Sequence, residues 1–111
     1  METLYLSGRM SGLPDLNKPA FNDMARRLRR CGYMVINPAE LDANEACTTW
    51  EECLKRDIRA LTRCDAIATL PSWQKSRGAS LEVHIGKQLS YPVHAATYYL
   101  KKAKRRRIHH V

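Results

Sequence analysis

Short apolar segments alternate with helical segments along the chain, and this alternation constrains the fold more than any other feature. Strand-like stretches are TLYLS (3–7), YMVIN (33–37), DAIATL (65–70) and a stretch that begins at Pro92. Apolar residues at helical spacing lie between them. A β-α-β-α-β-α-β order predicts a parallel sheet with right-handed connections. We therefore predict an α/β fold of three layers, flavodoxin-like or Rossmann-like, with four to five strands and helices on both faces.

Local signals place the helix starts. Asn17 is a candidate cap for the first helix, with Pro19 in its first turn. Thr49 and Glu52 have the spacing of a capping box, which predicts that the second helix begins there. The third helix is expected from about Ala79 to Ser90, residues 38–48 are expected to be loop, and the regular pattern ends after Tyr99.

The length of 111 residues predicts a single domain over 1–100, followed by a basic tail over 101–111. The core of such a chain is small, so a homodimer is expected. Tyr98 and Tyr99 are candidate interface residues, although ordinary packing explains them as well. Four cysteines without a CxxC pair are expected to be free thiols. The chain shows neither a membrane-span pattern nor a signal-peptide pattern, which predicts a cytoplasmic protein with no membrane partner.

Positive charge is concentrated in the tail. The sequence KKAKRRRIHHV carries six of the charges that make up the net +8, so the rest of the chain is close to +2. The tail is interpreted either as a solvated terminus or as a weak contact for nucleic acid, and the absence of interleaved aromatic residues favours the first.

Three polar loops, 8–16, 37–48 and 71–78, belong at the carboxyl edge of the predicted sheet, where α/β folds bind ligands. Glu82 lies just behind the third loop and is expected in the first turn of its helix, where the dipole would keep it ionised. Asp57 and Asp65 are expected near the same edge. Paired carboxylates are typical of glycosyl transfer, but each of these residues also has an ordinary structural role open to it.

Three segments in order, YLSGRMSG, DIRALTRCDAIATLPSW and SRGASLEVHIGKQL, resemble the superfamily of nucleoside 2-deoxyribosyltransferases and 2'-deoxynucleoside 5'-phosphate N-hydrolases. The similarity spans roughly residues 3–94 and is greatest to a small branch found in phages and bacteria. The resemblance implies cleavage of the N-glycosidic bond of a 2'-deoxynucleoside or its 5'-monophosphate, by hydrolysis or by transfer of the sugar to another base. No metal is expected, because the sequence contains no ligand cluster, and no organic cofactor is expected, because the carboxylate itself would be the catalyst.

The resemblance assigns a role to eight residues. Glu82 matches the nucleophile that attacks C1' of the sugar, and Asp57 matches the aspartate that positions the sugar hydroxyls. The remaining matches are to residues that bind substrate: Tyr5, Gly8 and Arg9 in the first loop, and Ser76 with Gly78 at the 5'-phosphate. Asp65 matches an aspartate that is either structural or in contact with the base.

The chain departs from the family pattern behind the nucleophile, where Glu82 is followed by VHIGK instead of a closely spaced glycine and small residue. Two other functions therefore stay open. One is a nucleotide-binding module without catalysis, with a tail that contacts nucleic acid. The other is cleavage of the N-glycosidic bond of NAD, for which the loops look small.

Overall fold

The computed structural model describes residues 2–109 of the chain. Four strands and five helices alternate in the order β1 (Thr3–Ser7), α1 (Lys18–Arg30), β2 (Met34–Ile36), α2 (Pro38–Leu41), α3 (Trp50–Leu61), β3 (Ala66–Thr69), α4 (Arg77–Gln88), β4 (Val93–Ala95) and α5 (Ala96–His109). Two 3₁₀ turns, Pro14–Asn17 and Trp73–Lys75, precede α1 and α4.

All strand pairs are parallel, and the strand order is β2-β1-β3-β4. Tyr5 lies opposite Ile36 on one side and Ile67 on the other, and Ser7 lies opposite Thr69. This order is that of a flavodoxin-like sheet without its fifth strand, so the predicted three-layer α/β fold is confirmed. The order reverses between β1 and β3, which places a crevice beyond their carboxyl ends.

Alternation along β1 divides the core between the two faces of the sheet. Leu4 and Leu6 point to one face, where they pack with Phe21 and Leu28 of α1 and with Tyr99 of α5. Tyr5 points to the other face, where Leu61 of α3, Val83 of α4 and Ile67 complete a second cluster. Helices α1 and α5 therefore cover one face, and α3 and α4 cover the other.

Helix α5 corrects the prediction that regular structure ends after Tyr99. Tyr99 and Ala103 are buried against α1, and the Tyr99 hydroxyl donates to the Ile67 carbonyl oxygen at 3.1 Å. Tyr99 is therefore a core residue, which agrees with the packing alternative and not with an interface role, whereas Tyr98 is exposed and stacks on His94. The last two residues of the expected tail lie outside the described part of the chain.

The helix starts agree with the sequence in part. The Thr49 hydroxyl accepts from the Glu52 N–H at 3.0 Å, which confirms this cap, although the Glu52 carboxylate accepts from Thr48 instead of Thr49. Asn17 has a left-handed backbone (φ 60°), and its side chain donates to the Arg9 carbonyl oxygen, so it was wrongly expected to cap α1. Residues 38–48 also contain the short α2, which was not predicted.

Within residues 2–109, none of the helices combines the length and the apolar character needed to cross a membrane.

Candidate active site

A cavity of about 430 Å³ opens at the carboxyl edge of the sheet, beside the point where the strand order reverses. Its walls come from β1 and the loop after it, from the start of α1, from the segment between β2 and α3, and from the N-terminal halves of α3 and α4. Glu82 and Asp57 both line it. The volume lies within the range of small-molecule sites in proteins.

Glu82 reaches the cavity from α4, and two hydroxyl groups of β1 hold its carboxylate. Ser7 Oγ donates to Oε1 at 2.7 Å, and Tyr5 Oη donates to Oε2 at 2.7 Å. Residues 5 and 7 share a face because side chains alternate along a strand, and α4 packs on that face. The Glu82 side chain is only 6 % exposed. Both of its oxygen atoms are therefore fixed, and each keeps a lone pair for another contact.

Gly86 lets α4 lie close to the sheet. A Cβ atom at this position would stand 2.3 Å from Cδ1 of Ile67 on β3, which is a steric overlap. Glu82 lies one turn earlier on the same face of the helix. The close approach at Gly86 therefore sets how deeply the glutamate reaches towards β1.

Burial raises the pKa of Glu82 to about 7, and the nearby Asp57 carboxylate adds to this rise. The hydrogen bonds from Tyr5 and Ser7 act in the opposite direction, because they stabilise the ionised form. The helix begins at Arg77, so Glu82 is its sixth residue and lies in the second turn. The expectation that the first turn keeps Glu82 ionised is therefore wrong, and the two hydroxyl donors take that role.

Asp57 approaches the cavity from α3, and its neighbour on the helix, Arg56, restrains it. Arg56 Nε donates to Asp57 Oδ1 at 3.0 Å, and Nη1 donates to Asp42 Oδ1 and to the Glu45 carbonyl oxygen. Arg56 is 6 % exposed and the Asp57 side chain 14 %. Burial raises the pKa of Asp57, and the Arg56 guanidinium opposes that rise. Arg56 thus ties the loop after α2 to the aspartate at the cavity.

The outer rim of the cavity carries an aromatic ring and a disulfide. The Arg77 guanidinium lies over the Trp50 ring, 4.2 Å from its centroid, and Trp50 is 36 % exposed. Cys47 and Cys53 form a disulfide that joins the loop before α3 to the first turn of that helix. All of these residues except Arg77 line the cavity. The expectation of four free thiols is therefore wrong for two of them, while Cys31 and Cys64 are free.

Three of the residues expected to bind substrate, Gly8, Ser76 and Gly78, line the cavity. Ser76 caps α4, since its Oγ accepts from the Ala79 N–H at 3.1 Å. Arg9 is half-buried in the first loop and is not one of the residues that line the cavity.

Two other residues that were expected to contact substrate, Tyr5 and Asp65, do not line the cavity. Tyr5 is fully buried and contacts Glu82, so it positions the carboxylate from behind and does not face the cavity. Asp65 precedes β3 at the amino edge of the sheet, where its Oδ2 accepts from the Thr3 N–H at 2.9 Å. Because the strands are parallel, this edge is the one opposite the cavity.

Sequence reasoning missed Ser7, Trp50, Asp42 and the disulfide. Ser7 could have been identified from the sequence, because it lies two residues after Tyr5 in a strand and so shares its face. The indication for Trp50 was weaker: it lies at the start of a helix that follows one of the loops expected at the carboxyl edge of the sheet. Asp42 and the disulfide depend on how the loop folds back, which no local pattern records.

Within the described residues, no group of three or more His, Cys, Asp or Glu side chains is arranged to hold a metal ion. The site therefore consists of two carboxylates, two hydroxyl donors and a rim that carries one aromatic ring.

Comparison with known proteins gives one family. Residues 2–95 match the family described as Domain of unknown function (DUF4406). No curated protein matches the chain. The matched range includes every side chain of the site and ends before α5.

Proposed function

We propose that this chain, which belongs to the DUF4406 family, cleaves the N-glycosidic bond of a 2'-deoxynucleoside or its 5'-monophosphate with Glu82 as the nucleophile. One observation carries the proposal: a buried carboxylate, held by Ser7 and Tyr5, lines a cavity beside a second carboxylate. The resemblance to the 2-deoxyribosyltransferase superfamily points to the same residue.

In the first step, a Glu82 carboxylate oxygen attacks C1' of the sugar. The bond between C1' and the base nitrogen breaks, and the base leaves with the electron pair and takes up a proton. The transition state has oxocarbenium character, which the anionic carboxylates stabilise. In the second step, water or a ring nitrogen of another base attacks C1' and gives up its proton to solvent. The bond between C1' and the Glu82 oxygen breaks, and Glu82 is released as the carboxylate.

The other residues have roles that follow from their places. Asp57 faces the same cavity and is held by Arg56, so it positions a sugar hydroxyl. Ser76 and Gly78 lie at the first turn of α4, whose backbone N–H groups suit a 5'-phosphate. Trp50 offers a ring face at the rim on which a base can stack.

The ionisation of Glu82 sets the pH dependence. Only the carboxylate is a nucleophile, and its pKa is about 7. Turnover should therefore rise as the pH increases from 6 to 8.

The test is release of free base, measured by chromatography, from each deoxynucleoside and each deoxynucleoside monophosphate, with and without a second base. Glu82→Gln should lower release by at least about 1,000-fold. Glu51→Gln is the matched control, because Glu51 is exposed in the first turn of α3, and it should keep full activity.

A new nucleoside or nucleotide in the two-base samples would identify a transferase, and base alone would identify a hydrolase. Retained activity in Glu82→Gln would overturn the proposal. No release from any substrate, together with thermal protection by a monophosphate, would overturn it in favour of a binding module.

The homodimer and the cytoplasmic location stay predictions. Size-exclusion chromatography with light scattering tests the first, and localisation of a tagged chain tests the second.

A further inference from the structure

A strongly basic surface lies at the end of the molecule opposite the cavity. Helices α1 and α5 pack side by side on one face of the sheet. Both run from the carboxyl edge to the amino edge, because each follows a strand in a parallel sheet. Their last turns therefore meet at the amino edge, where Lys102 pairs with Glu2 at 3.5 Å. We define the basic surface by its nine cations: Arg26, Arg27, Arg29, Arg30, Lys101, Lys102, Lys104, Arg105 and Arg106.

The apolar side of α5 is already used by the core. Ala96, Tyr99 and Ala103 are buried against α1 and the sheet. Between residues 100 and 106 of this helix, the exposed side chains are all basic: Lys101, Lys104, Arg105 and Arg106. A helix without a free apolar side cannot insert into a lipid interface. A polar anionic partner is therefore favoured over a membrane.

Most of the net charge of the chain lies on this surface. Nine of the 19 Lys and Arg residues belong to this surface, and three of the 11 acidic residues, Glu2, Asp23 and Glu40, pair with members of the set. Nine minus three gives +6, out of +8 for the whole chain. The three acids pair with Lys102, Arg26 and Arg29. Within the described part of the chain, no acidic group lies within ion-pair distance of Lys101, Lys104 or Arg105.

We propose that the basic surface binds the phosphate backbone of double-stranded DNA without sequence preference. Two neighbouring helices present rows of cations, and a duplex presents one negative charge per about 1.7 Å of its axis. Among the described residues, the large exposed aromatic rings are those of Trp50 and Tyr98; Trp50 lines the cavity, and one face of Tyr98 is stacked on His94. Stacking on single-stranded bases is therefore less favoured here than contact with the phosphates of a duplex. The cavity faces away from this surface, so bound DNA leaves it open.

The test is fluorescence anisotropy with a labelled DNA duplex of about 20 base pairs and arbitrary sequence, at salt concentrations from about 50 to 200 mM. The binding variant is Lys101→Gln/Lys104→Gln/Arg105→Gln. The matched control is Lys55→Gln/Arg63→Gln/Lys87→Gln, which removes the same charge from exposed positions on the other face of the sheet. A third variant, Lys101→Arg/Lys104→Arg/Arg105→Lys, keeps every charge.

The whole chain should bind the duplex, with an affinity that falls steeply with salt. The binding variant should lose at least about tenfold in affinity at 100 mM salt, and its salt slope should become shallower by about two to three. The control should change affinity by less than about threefold, and the charge-keeping variant should bind like the unchanged chain. Circular dichroism confirms that each variant is folded.

Three results would overturn the proposal. The first would be that the unchanged chain does not bind the duplex at about 50 mM salt. The second would be that the control variant loses as much affinity as the binding variant. The third is tighter binding to duplex RNA, to single-stranded DNA or to anionic vesicles than to duplex DNA. None of these measurements depends on base release, so the result stands apart from the function proposed for the cavity.

Discussion

The two edges of the sheet carry charge in opposite ways. At the carboxyl edge, Glu82 is 6 % exposed and depends on two hydroxyl donors. At the amino edge, Lys101, Lys104 and Arg105 are exposed to solvent. A buried charge loses its hydration and needs a specific partner, whereas an exposed charge keeps its hydration and costs little. The comparison teaches that the site depends on individual contacts and the basic surface on the number of its charges.

The largest effect on stability is expected from Arg56→Met. This change removes the guanidinium from the buried Asp57 and breaks the links to Asp42 and Glu45, at a cost of about 3 kcal/mol in the free energy of unfolding. Urea unfolding at neutral pH measures it. Arg59→Met is the matched control on the same helix, since Arg59 forms an exposed pair with Glu45. Its expected cost is at most about 1 kcal/mol. Equal costs would show that burial does not distinguish the two arginines.

A smaller effect, with a definite pH dependence, is expected from Glu82→Gln. The pKa of Glu82 is raised from 4.5 to about 7 in the folded chain, so the folded state binds the proton more tightly than the unfolded state. The protonated Glu82 side chain therefore contributes fully to stability below the unfolded-state pKa of 4.5, and this contribution is lost as the pH rises through about 7. The rise corresponds to roughly 3 kcal/mol.

Glutamine does not titrate, so Glu82→Gln does not lose stability in this way. Between pH 5 and pH 8, the free energy of unfolding of the variant should rise by about 2 kcal/mol relative to that of the unchanged chain. Thermal or urea unfolding at the two pH values measures the difference. Glu51→Gln should show no such trend. A relative stability of Glu82→Gln that is the same at both pH values would mean that the folded chain does not hold a buried, titrating carboxylate at this position.

The smallest effect is expected at the amino edge. Lys101→Gln/Lys104→Gln/Arg105→Gln should change the free energy of unfolding by less than about 0.5 kcal/mol per residue, because these side chains are exposed and glutamine favours helix about as well. Urea unfolding of the same preparations that are used for DNA binding measures it. A large loss of stability would show that these side chains contribute to the packing of α5 and do not lie on a free surface.

Much of the fold could be predicted because it rests on local periodicity. The strands β1 and β3 and the start of α3 follow from apolar alternation and the Thr49 cap. Helix α5 was missed because its buried side includes small residues, such as Ala96 and Ala103, within a run of cations. Small apolar residues among Lys and Arg give a weak helical pattern.

The site was predicted only in part. Gly8 follows strand β1, and Asp57 and Glu82 lie on α3 and α4. The order of strands and helices predicts that all three lie near the carboxyl edge of the sheet, and the structure brings them to one cavity. Asp65 was placed wrongly, although its position before a strand puts it at the amino edge of any parallel sheet. The disulfide between Cys47 and Cys53 requires the loop to turn back onto α3, and six residues of spacing do not encode that turn.

Gly86 has a consequence for how the sequence can vary. A methyl group at this position meets Ile67 at 2.3 Å, so any other residue must tilt α4 away from the sheet or displace the isoleucine. Glu82 lies one turn away, and its contacts with Ser7 and Tyr5 are short hydrogen bonds with little tolerance for movement. The size of the residue at position 86 therefore affects the distance between Glu82 and strand β1. A lineage that changed this glycine would need either a smaller or displaced side chain at position 67 or a shift of α4 that moves Glu82 relative to Ser7 and Tyr5.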